Sequence, residues 1–146
     1  MARLVPELLV VDLAASLSFW CDLCGFRVRY DRPEEGFAYL DLAGAQLMLE
    51  QIGGRNWVTG PLQPPLGRGI NLQITVTDVM AIQQRLAHAN WPLFMEVEDK
   101  WYRIQGGAGA QVVETGLRQF LVQDPDGYLA RFASSLGVRH VPASVA

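Results

Sequence analysis

After Asp12, apolar residues recur at Leu13, Leu17, Trp20 and Cys24, at intervals of four, three and four. That spacing lines one face of a helix. Gly25 follows, where a left-handed residue ends helices. The pattern returns after Asp78, at Val79, Ile82, Leu86 and Ala89, and is closed by Asn90 and Pro92. Proline has no N–H with which to carry a helix on. Each aspartate stands where a carboxylate can accept from the first free N–H groups of a helix. Each also follows a strand-like run, Val10-Val11 in one case and Val76-Thr77 in the other. The echo predicts one structural unit used twice.

Strand-like runs follow both helices. In the first half they cover 26–30, then 37–42 and 45–51 as a hairpin around Ala43-Gly44. In the second half they cover 91–97, resuming at 101–104, then 119–123 and 128–132 around Asp124-Pro125-Asp126-Gly127. Asp, Pro and Gly are strong turn residues. Each half therefore reads β-α-β-β-β. The predicted division is a first module over 1–52, a Gly- and Pro-rich linker over 53–68, a second module over 69–136 and a loose tail over 137–146. The whole forms one compact domain. The glycine-rich stretch 106–110 is a flexible loop found only in the second half. The fold class is α+β: two tandem βαβββ modules forming curved mixed sheets around a cleft, with helices outside.

Composition narrows the function classes. The chain has 146 residues, half of them hydrophobic and 18% charged. A chain of that size hides roughly 70% of its unfolded surface, and this composition excludes a disordered one. A net charge of −3 leaves no basic surface for a phosphate backbone, so nucleic acid is not an expected partner. No apolar run reaches the roughly 18 residues of a membrane helix, and no signal-peptide pattern opens the chain. A cytoplasmic protein is expected. Two cysteines and two histidines exclude a disulfide scaffold and a site rich in His and Cys ligands.

Strand parity assigns side chains to faces. In the first hairpin Asp41 faces Gln46, Tyr39 faces Met48 and Phe37 faces Glu50, while Ala38, Leu40, Leu47 and Leu49 form the helix-facing side. In the second, a four-residue turn pairs Gln123 with Tyr128, so that Val122 meets Leu129 and Phe120 meets Arg131. The face away from the helices then carries Glu7, Phe37, Tyr39, Met48, Glu50, Asn71, Gln73, Phe120 and Arg131. Trp57, Trp101 and Tyr102 stand on or near loops that can line the same cleft. Aromatics mixed with a few polar anchors are what a small-molecule pocket needs. The competing reading is a sheet face covered by a partner subunit, since aromatics also gather at interfaces.

Other motifs are set aside. Cys21 and Cys24 have CxxC spacing but close a helix rather than open one, so no helix N-terminus lowers a thiol pKa. Two free thiols fit a reducing compartment. His88 and His140 have no placed acid or nucleophile beside them, and Ser16 and Ser18 have no base. Glycines 106, 107 and 109 do not stand between a strand and a helix, so they make no phosphate loop.

The order of units and several local motifs resemble the vicinal oxygen chelate superfamily of glyoxalases, bleomycin resistance proteins and dioxygenases. Val5-Pro6-Glu7-Leu8, Asp12, Ser16-Leu17, Phe19-Trp20 and Gly25-Phe26 resemble the first strand and helix of the bleomycin-resistance branch. Gln46-Leu47-Met48-Leu49-Glu50 resembles its fourth strand, and Asp124-Pro125-Asp126-Gly127-Tyr128-Leu129 the last hairpin of the superfamily. Enzymes of the superfamily hold a divalent metal at four strand positions, which fall here on Val5, Glu50, Asn71 and Arg131. Only Glu50 is an ordinary ligand. Val5 has no donor atom, and Arg131 stays protonated. No metal and no other cofactor is therefore expected. A Glu50–Arg131 pair across the cleft, or an Arg131 free to take a ligand's carboxylate, is expected instead.

The resemblance implies a binding protein without catalysis, sequestering a planar or aromatic drug or metabolite in a groove between two subunits. A homodimer is expected, because a half-open cleft exposes apolar surface. Two alternatives stay open. One is a diverged metal-dependent lyase or ring-cleaving dioxygenase. The other is an interaction protein whose sheet face serves only as a dimer interface.

Overall fold

The computed structural model describes residues 1–104 and 112–141. The expected glycine loop at 106–110 and the tail residues 142–146 lie outside the described residues. In chain order the elements are β1 (Glu7–Val10), α1 (Leu13–Leu17), a π-helical turn (Ser18–Leu23), β2 (Arg27–Arg32), a 3-10 turn (Pro33–Glu35), β3 (Phe37–Leu42) and β4 (Ala45–Gln51). The second half has β5 (Asn71–Thr75), α2 (Val79–His88), β6 (Met95–Ile104), β7 (Val113–Gln123) and β8 (Leu129–His140). Each half forms its own four-stranded mixed sheet, in the orders β1-β4-β3-β2 and β5-β8-β7-β6. β1 runs parallel to β4 and β5 parallel to β8, with the other neighbours antiparallel. This is the tandem βαβββ architecture, α+β in class.

Both helices start as their caps require. The Asp12 carboxylate accepts from the N–H of Ala14 at 3.0 Å and Ala15 at 3.3 Å, and Asp78 accepts from Met80 at 2.9 Å. The first helix departs from the simple periodicity. α1 is short and widens into the π-helical turn, where the Cys24 N–H reaches the Phe19 carbonyl at 3.0 Å. The wider winding seats two consecutive rings in the core. Phe19 packs on Trp91 at 5.0 Å, and Trp20 packs edge-on against Phe26 at 5.6 Å.

One buried cluster joins Leu8, Leu40 and Leu49 of the first sheet to Ile74, Phe120 and Phe132 of the second, with Trp20 and Leu86 from the helical segments between. The two sheets thus turn their helix-packed faces toward a shared core. Burying each such side chain contributes about 1.5–3 kcal/mol. The faces left open point away from that core on both sides.

The second hairpin is longer than its apolar pattern suggests. β8 continues through Gly137 to His140, paired with Gly116 to Val113. Four residues expected in the tail are therefore strand. Residues 91–94 are not strand; the Trp91 N–H instead closes the end of α2 on the Leu86 carbonyl at 2.9 Å.

The turn between β7 and β8 clasps the first half. Asp126 Oδ1 accepts from the Val11 N–H at 3.1 Å, and the Tyr128 hydroxyl donates to the Leu9 carbonyl at 2.9 Å. The linker is held there too, with the Leu66 N–H on the Asp126 carbonyl at 2.8 Å.

Candidate functional site

The open face of the first sheet is an aromatic and acidic surface. Register places Glu7 beside Met48, Leu9 beside Glu50, and Phe37 beside Glu50 on the other flank. A bulge between Val28 and Tyr30 turns Tyr30 onto this face, opposite Tyr39. Re-aiming a side chain is a common consequence of such bulges. The two tyrosine rings stack at 4.9 Å and 15°, and Phe37 lies 6.1 Å from Tyr30. The Arg32 guanidinium covers the Phe37 ring at 4.0 Å while its Nε donates to Glu35 at 2.6 Å.

Phe37 and Tyr39 are therefore nearly buried inside the chain, at 5% and 3% exposure, whereas Tyr30 is 40% exposed. The ring available to a flat ligand is Tyr30; Tyr39 and Phe37 form its base. The Tyr39 hydroxyl is fixed by donating to Gln46 Oε1 at 2.6 Å, and Gln46 in turn donates to Asp41 at 2.8 Å.

Beside the stack stand Glu7 and Glu50, on adjacent parallel strands. Their carboxyls are within hydrogen-bond reach, and Glu7 is held above its ordinary pKa by burial, by that hydrogen bond and by the charge of Glu50, with Arg32 partly opposing. Two carboxylates on adjacent strands of one face favour a cation between them.

The open face of the second sheet is polar. Arg131 lies beside Gln73 and Leu121, and Asn71 beside Leu129. Arg131 donates from Nε to Gln119 Oε1 at 2.9 Å and from Nη2 to the Tyr102 hydroxyl at 3.0 Å. Gln119, only 4% exposed, donates from Nε2 to Glu98 and to Tyr102, both at 3.1 Å. The guanidinium can only donate, so the amide must turn its oxygen to Arg131 and its nitrogen to Glu98. The side chain is thereby locked, with two of its five N–H groups used.

Several expected site residues are placed differently. Phe120 is not on the open face: it pairs with Phe132, is fully buried and belongs to the shared core. The hairpin register runs Gln123 to Leu129, one residue from the expected pairing, and a one-residue slip exchanges the two faces. Trp101 and Tyr102 are consecutive residues of β6, so only one can join Arg131. Tyr102 does so. Trp101 lies under the Arg139 guanidinium at 4.0 Å, against Gly116. Trp57 is 84% exposed in the linker. Glu50 and Arg131 are not brought together in one chain, since they lie on open faces that point away from a common core. Among the described residues neither makes an ion pair with the other.

The residues missed from sequence are Tyr30, Arg32, Gln119 and Glu98. Tyr30 and Arg32 alternate along β2 and were legible as a pair; the bulge hid which face they take. Gln119 would have followed from the correct hairpin register.

Of the four positions at which the resemblance implies a metal, Val5 offers no donor atom and Arg131 brings a fixed positive charge, so these side chains do not fit a metal ion. Among the described residues no group of three or more His, Cys, Asp or Glu is placed to hold a metal ion. The cysteines do not form a redox pair either. Both are free, and burial pushes both thiols up.

Two concavities flank the faces. One of about 640 Å³ lies at the edge of the first sheet, lined by Glu34, Glu35, Glu50 and Arg55. One of about 330 Å³ opens between the halves, lined by Pro6, Phe26, Leu47, Leu72 and Ile74. No helix among the described residues is long and apolar enough to cross a membrane.

The model of the Glyoxalase/Bleomycin resistance protein/Dioxygenase superfamily matches residues 3–132. A solved structure of a glyoxalase/bleomycin resistance protein/dioxygenase superfamily member from Vibrio splendidus 12B01 is 38% identical, covering 93% of this chain and 100% of that one, with a TM-score of 0.41. TioX from Micromonospora sp. ML1 is 24% identical over 93% of this chain and 100% of its own, with a TM-score of 0.69. Lactoylglutathione lyase from Agrobacterium tumefaciens is 18% identical over 92% and 94%, with a TM-score of 0.56. The last two likenesses are of fold. No curated protein matches the chain.

Proposed function

The chain belongs to the glyoxalase/bleomycin resistance protein/dioxygenase superfamily, and from that premise we propose that it binds a planar aromatic small molecule without transforming it. The observation that carries this reading is the Tyr30–Tyr39 stack beside the Glu7–Glu50 pair. An exposed tyrosine face on a rigid base suits a flat ring, and adjacent carboxyls suit a positive group on the same molecule. The residues at the superfamily's metal positions support binding over metal-assisted catalysis, since a catalytic centre takes about three protein ligands. A homodimer is part of the proposal. Each half carries an open face with aromatic or fixed polar groups, and a second copy supplies the opposite wall. The free thiols suit the cytoplasm.

Proflavine, a planar cation, and 1-naphthalenesulfonate, a planar anion, separate the possibilities by fluorescence titration. Proflavine is expected to bind, to be recovered chemically unchanged, and to lose at least tenfold in affinity in Tyr30→Ala. Failure of both probes to bind, or uptake of stoichiometric Fe, Mn, Ni or Zn with turnover of a probe, would overturn the reading.

A further inference from the structure

We propose that Arg131 of one chain is a built-in cation for the Glu7–Glu50 pair of a second copy, so that an arginine stands between subunits on the acidic and aromatic face of the first sheet. The inference rests on the proposed homodimer but not on the identity of any ligand.

Three observations lead to it. First, the Glu7–Glu50 pair is short of positive charge. The two carboxyls stand on the same face of adjacent strands, and Arg32 on that face is committed to Glu35 and to the Phe37 ring. Second, Arg131 is short of negative charge. It is held by two neutral acceptors, Gln119 and Tyr102, and among the described residues no carboxylate lies within ion-pair distance of it. Glu98 is one bond further out, on the Gln119 amide. Third, these two unmatched charges cannot meet within a chain, because each sits on the side of its sheet turned away from the shared core. A second copy, rotated so that its second sheet faces this first sheet, brings them together twice by symmetry. A guanidinium with three N–H groups left can donate to both adjacent carboxylates, and its single positive charge leaves one negative charge of the pair for a ligand's cationic group.

The arrangement also explains the lock on Arg131. A side chain with high rotamer entropy forms a cross-subunit pair at lower cost when its position is already fixed. The pairing is complementary between faces, so it selects this face as the docking surface and a second copy as its occupant.

Charge reversal in two separate chains tests it. Glu50→Arg and Arg131→Glu are purified singly, their fold confirmed by circular dichroism, and sized by native mass spectrometry alone and as an equimolar mixture. Glu50→Lys and Arg131→Asp replace either variant that fails to fold. Alone, each variant places like charges opposite one another, and its dimer dissociation constant is expected to rise at least tenfold. Mixed, they restore both pairs, and a one-to-one heterodimer with near wild-type affinity is expected. An intrachain or purely structural role gives no rescue on mixing, and absence of rescue overturns the inference. So does a variant that dimerises alone as tightly as the wild type. In both cases the wild-type dimer still stands. A wild type that stays monomeric at tens of micromolar removes the dimer itself, and the inference with it.

Discussion

Trp20 and Asp124 are joined by a hydrogen bond, indole Nε1 to carboxylate Oδ2 at 3.2 Å, across 104 positions of the chain. The bond ties the helical segment of the first half to the β7–β8 turn of the second. The other carboxylate oxygen accepts from the N–H groups of Asp126 and Tyr128, both at 2.9 Å. A single aspartate therefore shapes the turn and fastens it to the other half.

Trp20→Phe is expected to lower the unfolding free energy by about 2–3 kcal/mol. The change keeps an aromatic ring but removes the donor from a buried carboxylate and leaves a small void. Urea denaturation measures it. A loss under about 0.5 kcal/mol would mean that the bond contributes nothing beyond what water can supply.

Asp124 gives the fold a pH dependence of definite sign. Burial, against the three hydrogen bonds that oppose it, pushes its pKa from 3.8 up to about 6. The folded state then holds this proton more tightly than the unfolded chain. The associated stability is fully present below about pH 4 and is lost as pH rises through about 6. Relative to Asp124→Asn, which does not titrate, the wild type is expected to gain stability between pH 7 and pH 4. The gain is about 2–3 kcal/mol from a shift of this size. Paired thermal melts of the two proteins across that range check it, and a gap that stays constant with pH refutes the assignment.

The Asp124 bonds also explain where strand parity misled. In the first hairpin the turn has two residues, Ala43 and Gly44, both at positive φ, so the pairing of Phe37 with Glu50 and Tyr39 with Met48 follows directly. The aspartate-rich turn reads as four residues, but Asp124 belongs to the ladder: its own N–H reaches the Tyr128 carbonyl at 2.9 Å. The turn proper is Pro125 to Gly127, and every β7 side chain changes face relative to the four-residue reading. Phe120 moved into the core for this reason, and Gln119 came out beside Arg131. The tandem units, the helix caps and the acidic-aromatic face of the first sheet were legible from residue order. The π-helical turn and the bulge before Tyr30 were not, because each adds one residue without changing composition.

Two glycines separate backbone strain from crowding. Gly44 and Gly127 have similar φ values of 97° and 104°. A Cβ at Gly44 would meet nothing within 4 Å, whereas one at Gly127 would fall 2.4 Å from Pro65 Cβ and 2.8 Å from its Cα. Gly44→Ala should cost about 1–2 kcal/mol, the penalty of the left-handed region alone. Gly127→Ala should cost at least twice that, because the linker must move away from the turn. Equal losses in chemical denaturation would show that the linker is not pressed against Gly127.

The Glu7–Glu50 pair predicts a stability change opposite in direction to the loss of an ordinary ion pair. Glu7 titrates above its ordinary value, so its contribution is present below about pH 4.5 and is lost as pH rises through the raised value. Glu7→Gln keeps the shape, can donate to Glu50, and removes one of two like charges. At pH 7–8 the variant should melt at or above the wild-type temperature, and at pH 4 the two should converge. The effect is modest, on the order of 1 kcal/mol or less, because solvent screens an exposed carboxyl. Binding should move the other way, with proflavine losing affinity in Glu7→Gln as the site loses a negative charge. A variant both less stable at pH 8 and unchanged in proflavine affinity would mean that Glu7 is an ordinary surface residue and that the aromatic platform acts without it.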